Sequence, residues 1–313
     1  MGFRQIVVVS GFAVSVVVWR PFACAARHSE RKGKRLGERR LGPILSAIMR
    51  CSSSSLQSVV LSVALAVLGG LVPVNGQLEI PVVKTLSEKR QVRIAYLNPE
   101  FLVFPAEGAK KSKLPLLIYL HGAGGVGDDL GKIRGQARRV VSGIRKFGKG
   151  PCLVVAPQCL RNPPAGRGTW MPEDLDVLLE HLMEKFPVDE KRIYLTGNSM
   201  GGYGCWVWGA NCPGHFAAIA PVVGGIGREG PKAVTDDLAE WAANLARVPV
   251  YAFAGARDRV VPAERSERMI AAIRKAGGKQ AKIKVYPEEG HGAGRLVFST
   301  REMYDWMFSQ KRE

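Results

Sequence analysis

Six apolar runs recur from Gln77 onward: "LPLLIYLHG" (114–122), "CLVVAPQ" (152–158), "RIYLTG" (192–197), "AAIAPVVGG" (217–225), "VPVYAFAG" (248–255) and "KIKVYPEEG" (282–290). Their apolar character is continuous rather than alternating, as a strand covered on both faces requires. Stretches with helical period lie between them. "EDLDVLLEHLMEKF" (173–186) puts Leu175, Leu178, Leu179, Leu182 and Phe186 on one face. "PAERSERMIAAIRKAGG" (262–278) starts with Pro and stops at Gly, as helix ends favour, and "TREMYDWMFSQ" (300–310) closes the chain. This order predicts an α/β fold: a mostly parallel central sheet with right-handed crossovers and helices on both faces. A further segment, "QVRIAYL" around Arg93, alternates and predicts a half-buried strand. No repeat or long linker interrupts the series, so one α/β domain is expected over about 80–313.

The first 76 residues read differently. They hold ten Lys/Arg and two Asp/Glu, and so supply +8 of the chain's formal +18. Two apolar stretches, Ile6–Trp19 and Val59–Val74, flank the basic segment "RHSERKGKRLGERR". Met49-Arg50 followed by "VVLSVALAVLGGLVPV" has the form of a secretory signal with its own start, and "VNG" before Gln77 suits cleavage. The first stretch also resembles a signal, ending at "FACAA", but Pro21 and Phe22 argue against lipoprotein attachment at Cys24. Two signals in series are seldom found. The expectation is therefore a true start at Met49, with 1–48 an upstream mis-start or basic non-globular extension, 49–76 a signal peptide and 77–313 the mature domain. A membrane anchor is the alternative. Either version implies export, to the periplasm or beyond the cell, with membrane contact only through this segment.

From Gln77 the chain keeps 35 Lys/Arg against 25 Asp/Glu, a net +10. These are scattered, with no stripe of basic and aromatic residues of the kind that binds nucleic acid, so none is expected as a partner. A solvated basic surface is the reading, with weak preference for anionic polymers. Four cysteines fall in this region: Cys152, Cys159, Cys205 and Cys212. Export permits their oxidation, in any of three pairings, although Cys205 and Cys212 are expected on one helix, too far apart to bond. None sits in a CxxC or a zinc-like Cys/His spacing, so no metal is expected, and no cofactor is implied.

Functional groups of an open parallel sheet gather at the carboxyl ends of its strands. There the chain places "HGAGG" (His121–Gly125), "GNSMGG" with Ser199, "GARDRVVP" with Asp258 and "PEEGHGAG" with His291. A serine hydroxyl is a weak nucleophile until a base takes its proton. His291, between Gly290 and Gly292, suits that base, and Asp258 would fix its tautomer and stabilise the imidazolium. Gly197 and Gly201 suit a strained strand-to-helix turn around Ser199, one for strand–helix packing and one for close backbone approach. The backbone N–H groups of Met200 and Ala123 are the candidate oxyanion donors. His121, with Gly122 and Gly124, orders the loop. Asp236, Asp237 and Glu289 are alternatives for the acid, and His181, His215 and His121 for the base. A bare G-x-S-x-G match is weak; the conjunction at strand ends, in the order Ser, Asp, His, is specific.

With these motifs, "LLIYLHGAGGVGDD", "VVAPQC", "VDEKRIYLTGNSMGGYGCW", "HFAAIAPVVGG", "VYAFAGARDRVVP" and "EEGHGAG", the chain resembles secreted α/β-hydrolases described as predicted peptidases or polyhydroxybutyrate-depolymerase-like esterases. It is similar, more distantly, to the phospholipase/carboxylesterase and feruloyl esterase families. The resemblance covers nearly all of 91–310. It implies an α/β-hydrolase fold with Ser199 as nucleophile, Asp258 as acid, His291 as base, and Ala123 and Met200 as oxyanion donors. Such proteins often carry "APICGG" where this chain has Val223, which puts in doubt a disulfide from Cys159 to that strand. Trp170 in "GTWMPED" matches an aromatic that walls a substrate pocket or serves the core.

Only about 22 residues separate "VVGG" from Val248, and "TDDLAEWAANLAR" among them reads as one helix, so no large cap domain fits. The expected activity is hydrolysis of carboxylic esters through an acyl-serine, in an open cleft that admits polymeric or polysaccharide-linked substrates. A serine peptidase on the same fold is the alternative enzyme. A non-catalytic surface- or carbohydrate-associated protein is the alternative from another class.

Overall fold

A computed structural model describes residues 5–9, 12–16, 80–106, 112–162 and 167–313. The expected mis-start, signal and cleavage point over 1–77 lie outside the described residues, save for two short strands, β1 (Gln5–Val9) and β2 (Phe12–Val16), which pair antiparallel. Residues 76–313 form a compact unit of their own. Among the described residues, no helix is long and apolar enough to cross a membrane.

The sheet of this unit has eight strands: β3 (Val82–Thr85), β4 (Glu100–Phe104), β5 (Leu114–Leu120), β6 (Leu153–Ala156), β9 (Val188–Asn198), β10 (Ala218–Val222), β11 (Val250–Gly255) and β12 (Ala281–Tyr286). A separate pair, β7 (Arg161–Asn162) and β8 (Arg167–Gly168), runs antiparallel. The spatial order is β12-β11-β10-β9-β5-β6-β4-β3; all neighbours from β6 to β12 are parallel, and β3 and β4 run antiparallel at one edge. The six apolar runs are the six parallel strands.

Helices cover both faces: α1 (Glu88–Gln91), α2 (Gly131–Lys146), α3 (Pro172–Lys185), α4 (Met200–Asn211), α5 (Leu238–Leu245), α6 (Ala263–Lys275), α7 (Ala293–Val297) and α8 (Arg301–Phe308). β5 shows how they divide. Leu116, Ile118 and Leu120 point into a core built with α3, α4, α5 and α6, while Leu117 and Tyr119 point into a second core with α2, α7 and α8. That is the two-residue side-chain period of a strand with a helical layer on each side. Helix α3 begins on Pro172 with Glu173 and Asp174 in its first turn and ends near Lys185, as helix geometry and dipole favour.

The segment around Arg93 departs from the expected strand. Residues 88–91 form α1, and the chain then turns, leaving Val92 exposed. The reason is tertiary: the backbone N–H groups of Ala95 and Tyr96 donate to the two oxygens of Asp174, at 2.9 and 2.7 Å, instead of to a neighbouring strand. The edge strand β3, its neighbour β4 and the helix α2 are further elements that the apolar runs do not announce.

α4 carries little intrinsic helix preference at its start, "MGGYG", yet it is buried nearly all round. Its glycines let it lie against the sheet. A Cβ on Gly201 would collide with the carbonyl of Leu120 at the end of β5, and one on Gly197 would come 2.5 Å from the carbonyl oxygen of Gly201. Gly201→Ala is therefore expected to destabilise the fold by about 3 kcal/mol, the upper range for overpacking a core. A denaturant titration checks this, and an unchanged midpoint would mean that β5 and α4 are less tightly opposed than described.

Candidate active site

The junction of β9 and α4 holds Ser199 at φ 58° and ψ −113°, a left-handed backbone that a side chain seldom adopts. Neighbouring elements hold it there. Its N–H donates to the carbonyl of Val222 at the end of β10 (2.9 Å), and its carbonyl accepts the N–H of Tyr203 (3.0 Å) as the first turn of α4 closes. The side chain is thereby lifted off the strand end, beside a cavity of about 520 Å³.

His291 lies on the loop after β12, and its Nε2 is 2.8 Å from Ser199 Oγ. Its Nδ1 is 2.8 Å from Asp258 Oδ2. The Asp258 side chain is fully buried, whereas the imidazole is about 30% exposed and so remains within reach of solvent on the hydroxyl side. The second carboxylate oxygen, Oδ1, accepts the N–H groups of Val260 and Val261 at 2.8 and 2.9 Å. A buried ionised carboxylate needs such partners. Gly255, at the end of β11, allows the approach: a Cβ there would stand 2.5 Å from the carbonyl oxygens of both Glu289 and Gly290 in the histidine loop.

This arrangement can move a proton from hydroxyl to imidazole while the carboxylate holds the ring. Asp236 and Asp237 lie instead along a neighbouring pocket, and the carbonyl of Glu289 accepts the N–H of Arg257. His181 sits on α3 edge-to-face with Phe101, and His215 faces Asp176.

Ala123 opens the 3-10 turn Ala123–Gly125 and Met200 opens α4, and both line the cavity with Ser199. N–H groups at such positions have no acceptor within their own helix. Gly122 and Gly124 complete this loop; Gly124 faces open space. His121 is fully buried beneath it. Its Nε2 accepts the N–H of Cys159 at 3.0 Å, so the proton is on Nδ1, which donates to the carbonyl of Gly122 at 2.7 Å. Burial pushes its pKa down to about 4, against the smaller opposing effect of the bond to Gly122.

Of the two roles open to Trp170, the structure gives the core one. It is fully buried beneath the loop, donating from Nε1 to the carbonyl of His121 at 3.3 Å and stacking edge-on against that ring at 4.8 Å. It supports the loop from below and does not wall the cavity that holds Ser199. Val126, Tyr203, Val260 and Val261 form apolar parts of that wall, and among the described residues Lys132, Arg161 and Arg228 supply its charged side chains. Val126, Tyr203, Val260 and Val261 fall inside the quoted motifs and Lys132, Arg161 and Arg228 outside them, but the part of each in the wall is visible only in the folded chain. The four cysteines of this unit are unpaired.

With this geometry in hand, the fold is the α/β-hydrolase fold. Residues 169–295, which include Ser199, Asp258 and His291, match the model of the Dienelactone hydrolase family, over about two fifths of the chain. A Salmonella typhimurium protein provisionally named carboxymethylenebutenolidase is 35% identical over 106 residues, 33% of this chain and 37% of that one. A relative of the same name from Methylorubrum extorquens is 32% identical over 121 residues, 38% and 40% of the two chains. The chain thus spans about two fifths of the length of the curated relatives it matches. Among solved structures, a thermostable esterase superposes with TM-score 0.62 at 26% identity, covering 74% of this chain and 63% of the other. A ferulic acid esterase superposes with TM-score 0.55 at 18% identity, over 74% and 98%.

His121 has a measurable consequence. Its folded pKa lies below the unfolded value of 6.5, so between about 6.5 and 4 the unfolded chain binds a proton that the fold excludes. Stability therefore falls as pH drops through this window, by up to about 3 kcal/mol from this group. Denaturation midpoints from pH 7 to 4 are expected to show that slope in the wild type and a shallower one in His121→Gln. Equal slopes would contradict the assignment.

Proposed function

We propose that the protein is a serine hydrolase that cleaves carboxylic esters through an acyl-serine intermediate. The observation that carries the reading is the continuous chain Ser199 Oγ–His291 Nε2 and His291 Nδ1–Asp258 Oδ2, with both contacts at 2.8 Å. In the reaction Ser199 Oγ attacks the ester carbonyl carbon while its proton passes to His291 Nε2. The carbonyl oxygen takes up negative charge towards the N–H groups of Met200 and Ala123. Collapse breaks the bond to the alcohol, which leaves with the proton from Nε2. A water then attacks the acyl carbon by the same relay and frees the acid. Asp258 holds the ring and offsets the imidazolium charge without accepting the proton.

The strained backbone of Ser199 supports this role, since strain at a non-glycine residue marks sites whose geometry serves function. The names of the relatives and fold neighbours, carboxymethylenebutenolidase and esterase, agree with it. The cavity wall suggests substrate charge. Among the described residues the charged lining, Lys132, Arg161 and Arg228, is basic, so esters carrying a carboxylate near the scissile bond are favoured over neutral ones. Export through the segment 49–76 is proposed from its sequence alone, and a mature amino terminus near Gln77 on the exported protein would bear it out.

A fluorophosphonate probe is expected to label the wild type on one serine and to leave Ser199→Ala unlabelled, with aryl-ester turnover lower by about 10⁴-fold or more in the variant. Labelling that is absent from the wild type, or equal in Ser199→Ala, would sink the proposal; cleavage of casein but of no ester would shift it to a peptidase. In the same assay, an aryl monoester of a dicarboxylic acid should exceed a neutral ester of equal length in kcat/KM. Lys132→Gln should lower that preference by about fivefold, the scale of one exposed charge pair. An unchanged ratio would remove the charge argument.

A further inference from the structure

Three side chains of unlike chemistry converge at the far end of α4. The helix is about 18 Å long, so this place is remote from Ser199 at its start. Cys212 ends α4, and Pro213–His215 forms a single 3-10 turn that fixes Cys212 and His215 three residues apart. Asp176 reaches them from α3. Its Oδ2 accepts the Cys212 thiol at 3.2 Å, and its Oδ1 lies 3.1 Å from His215 Nε2 and accepts the indole N–H of Trp208 at 2.7 Å. One ligand atom from each of Asp176, Cys212 and His215 lies within 4.8 Å of the other two. All three side chains are half-buried, and a cavity of about 390 Å³ lined by Asp176, His215, Leu179 and Met183 opens beside them.

Thiolate, imidazole and carboxylate are the ligand types of tetrahedral zinc. Bonds of about 2.3 Å to sulfur and about 2.0–2.1 Å to nitrogen or oxygen hold neighbouring ligand atoms roughly 3.3–3.6 Å apart in a tetrahedron. The 3.2 Å between Cys212 Sγ and Asp176 Oδ2 is close to this, whereas the 3.1 Å contact of His215 Nε2 is to the other oxygen, Oδ1; the 4.8 Å limit leaves adjustments of about 1 Å for the pairs that involve His215. The bond from Trp208 to the carboxylate is the outer support that metal-ligating carboxylates have. The sequence hid the set. Cys212 and His215 form a lone C-x-x-H on one turn, and Asp176 is 36 residues upstream of Cys212.

We infer that Asp176, Cys212 and His215 form a zinc site that clamps α3 to the end of α4, with water from the adjacent cavity as the fourth ligand. On binding, the Cys212 sulfur gives its proton to solvent and bonds the ion as thiolate. His215 binds as neutral imidazole through Nε2. Asp176 binds through Oδ2, and its Oδ1 keeps the indole of Trp208. The role is structural: the ion bridges two helices and touches no reacting atom.

The purified full chain, stripped with a chelator and titrated with Co²⁺, tests this. One equivalent is expected to produce a sulfur-to-cobalt charge-transfer band and the intense visible bands of tetrahedral cobalt, which Zn²⁺ then bleaches. Cys212→Ser retains a hydroxyl for Asp176 but should lose the charge-transfer band while keeping aryl-ester turnover. Zn²⁺ at about a hundred times its Kd should raise Tm by roughly 5–10 °C in the wild type and not in Cys212→Ser. Should that variant fail to fold, His215→Asn discriminates equally: a cobalt affinity at least about tenfold weaker supports the site, and an unchanged one contradicts it. No charge-transfer band in the wild type, or one undiminished in Cys212→Ser, would overturn the inference.

Discussion

The left-handed backbone of Ser199 is the constraint on which the rest of the site depends. A serine at φ 58° is held only if its neighbours leave it no relaxed alternative. Two backbone bonds do so, from its N–H to Val222 and to its carbonyl from Tyr203, and each comes from a different element. They in turn require α4 to sit directly on β5, which the collision of any Cβ at Gly201 with the Leu120 carbonyl shows to be a glycine-only approach. Strand ends, helix start and hydroxyl are thus one mechanical unit.

The histidine and the acid are secured by separate means. Asp258 is buried and satisfied by two backbone N–H groups, so its remaining oxygen has one direction in which to act. His291 arrives on a loop that rests against Gly255. Beneath the neighbouring loop, His121 and Trp170 form a support in which the imidazole is neutral and fully bonded. The two histidines therefore differ in kind: one spans backbone groups in the interior, and the other faces a hydroxyl and solvent.

How much of this could be read from the sequence follows from what each element buries. Five of the six parallel strands carry a run buried on both faces, so their composition alone identifies them, while β12 at the sheet edge is only half-buried. β3 has no such burden: Val82 and Val83 are exposed on the sheet edge, and four residues of mixed character give no signal. "QVRIAYL" alternates as a strand would, but its backbone is claimed by Asp174, a partner about 80 residues away. Helix α2 is obscured by Gly131, Gly135 and Gly143, the last of which packs against Tyr304. Within the site, Ser199, Asp258 and His291 could be picked out because strand ends collect functional groups; the basic cavity wall, the burial of Trp170 and the meeting of Asp176 with Cys212 and His215 depend on tertiary approach and leave no local pattern.

The central claim is that Ser199 forms the covalent bond to the acyl group. Acid quenching of the enzyme during turnover of an aryl ester, followed by peptide mass mapping, tests it most directly. The account predicts the acyl mass on the peptide that contains Ser199 and on no other. Steady ester hydrolysis with the acyl group on a different residue would contradict it.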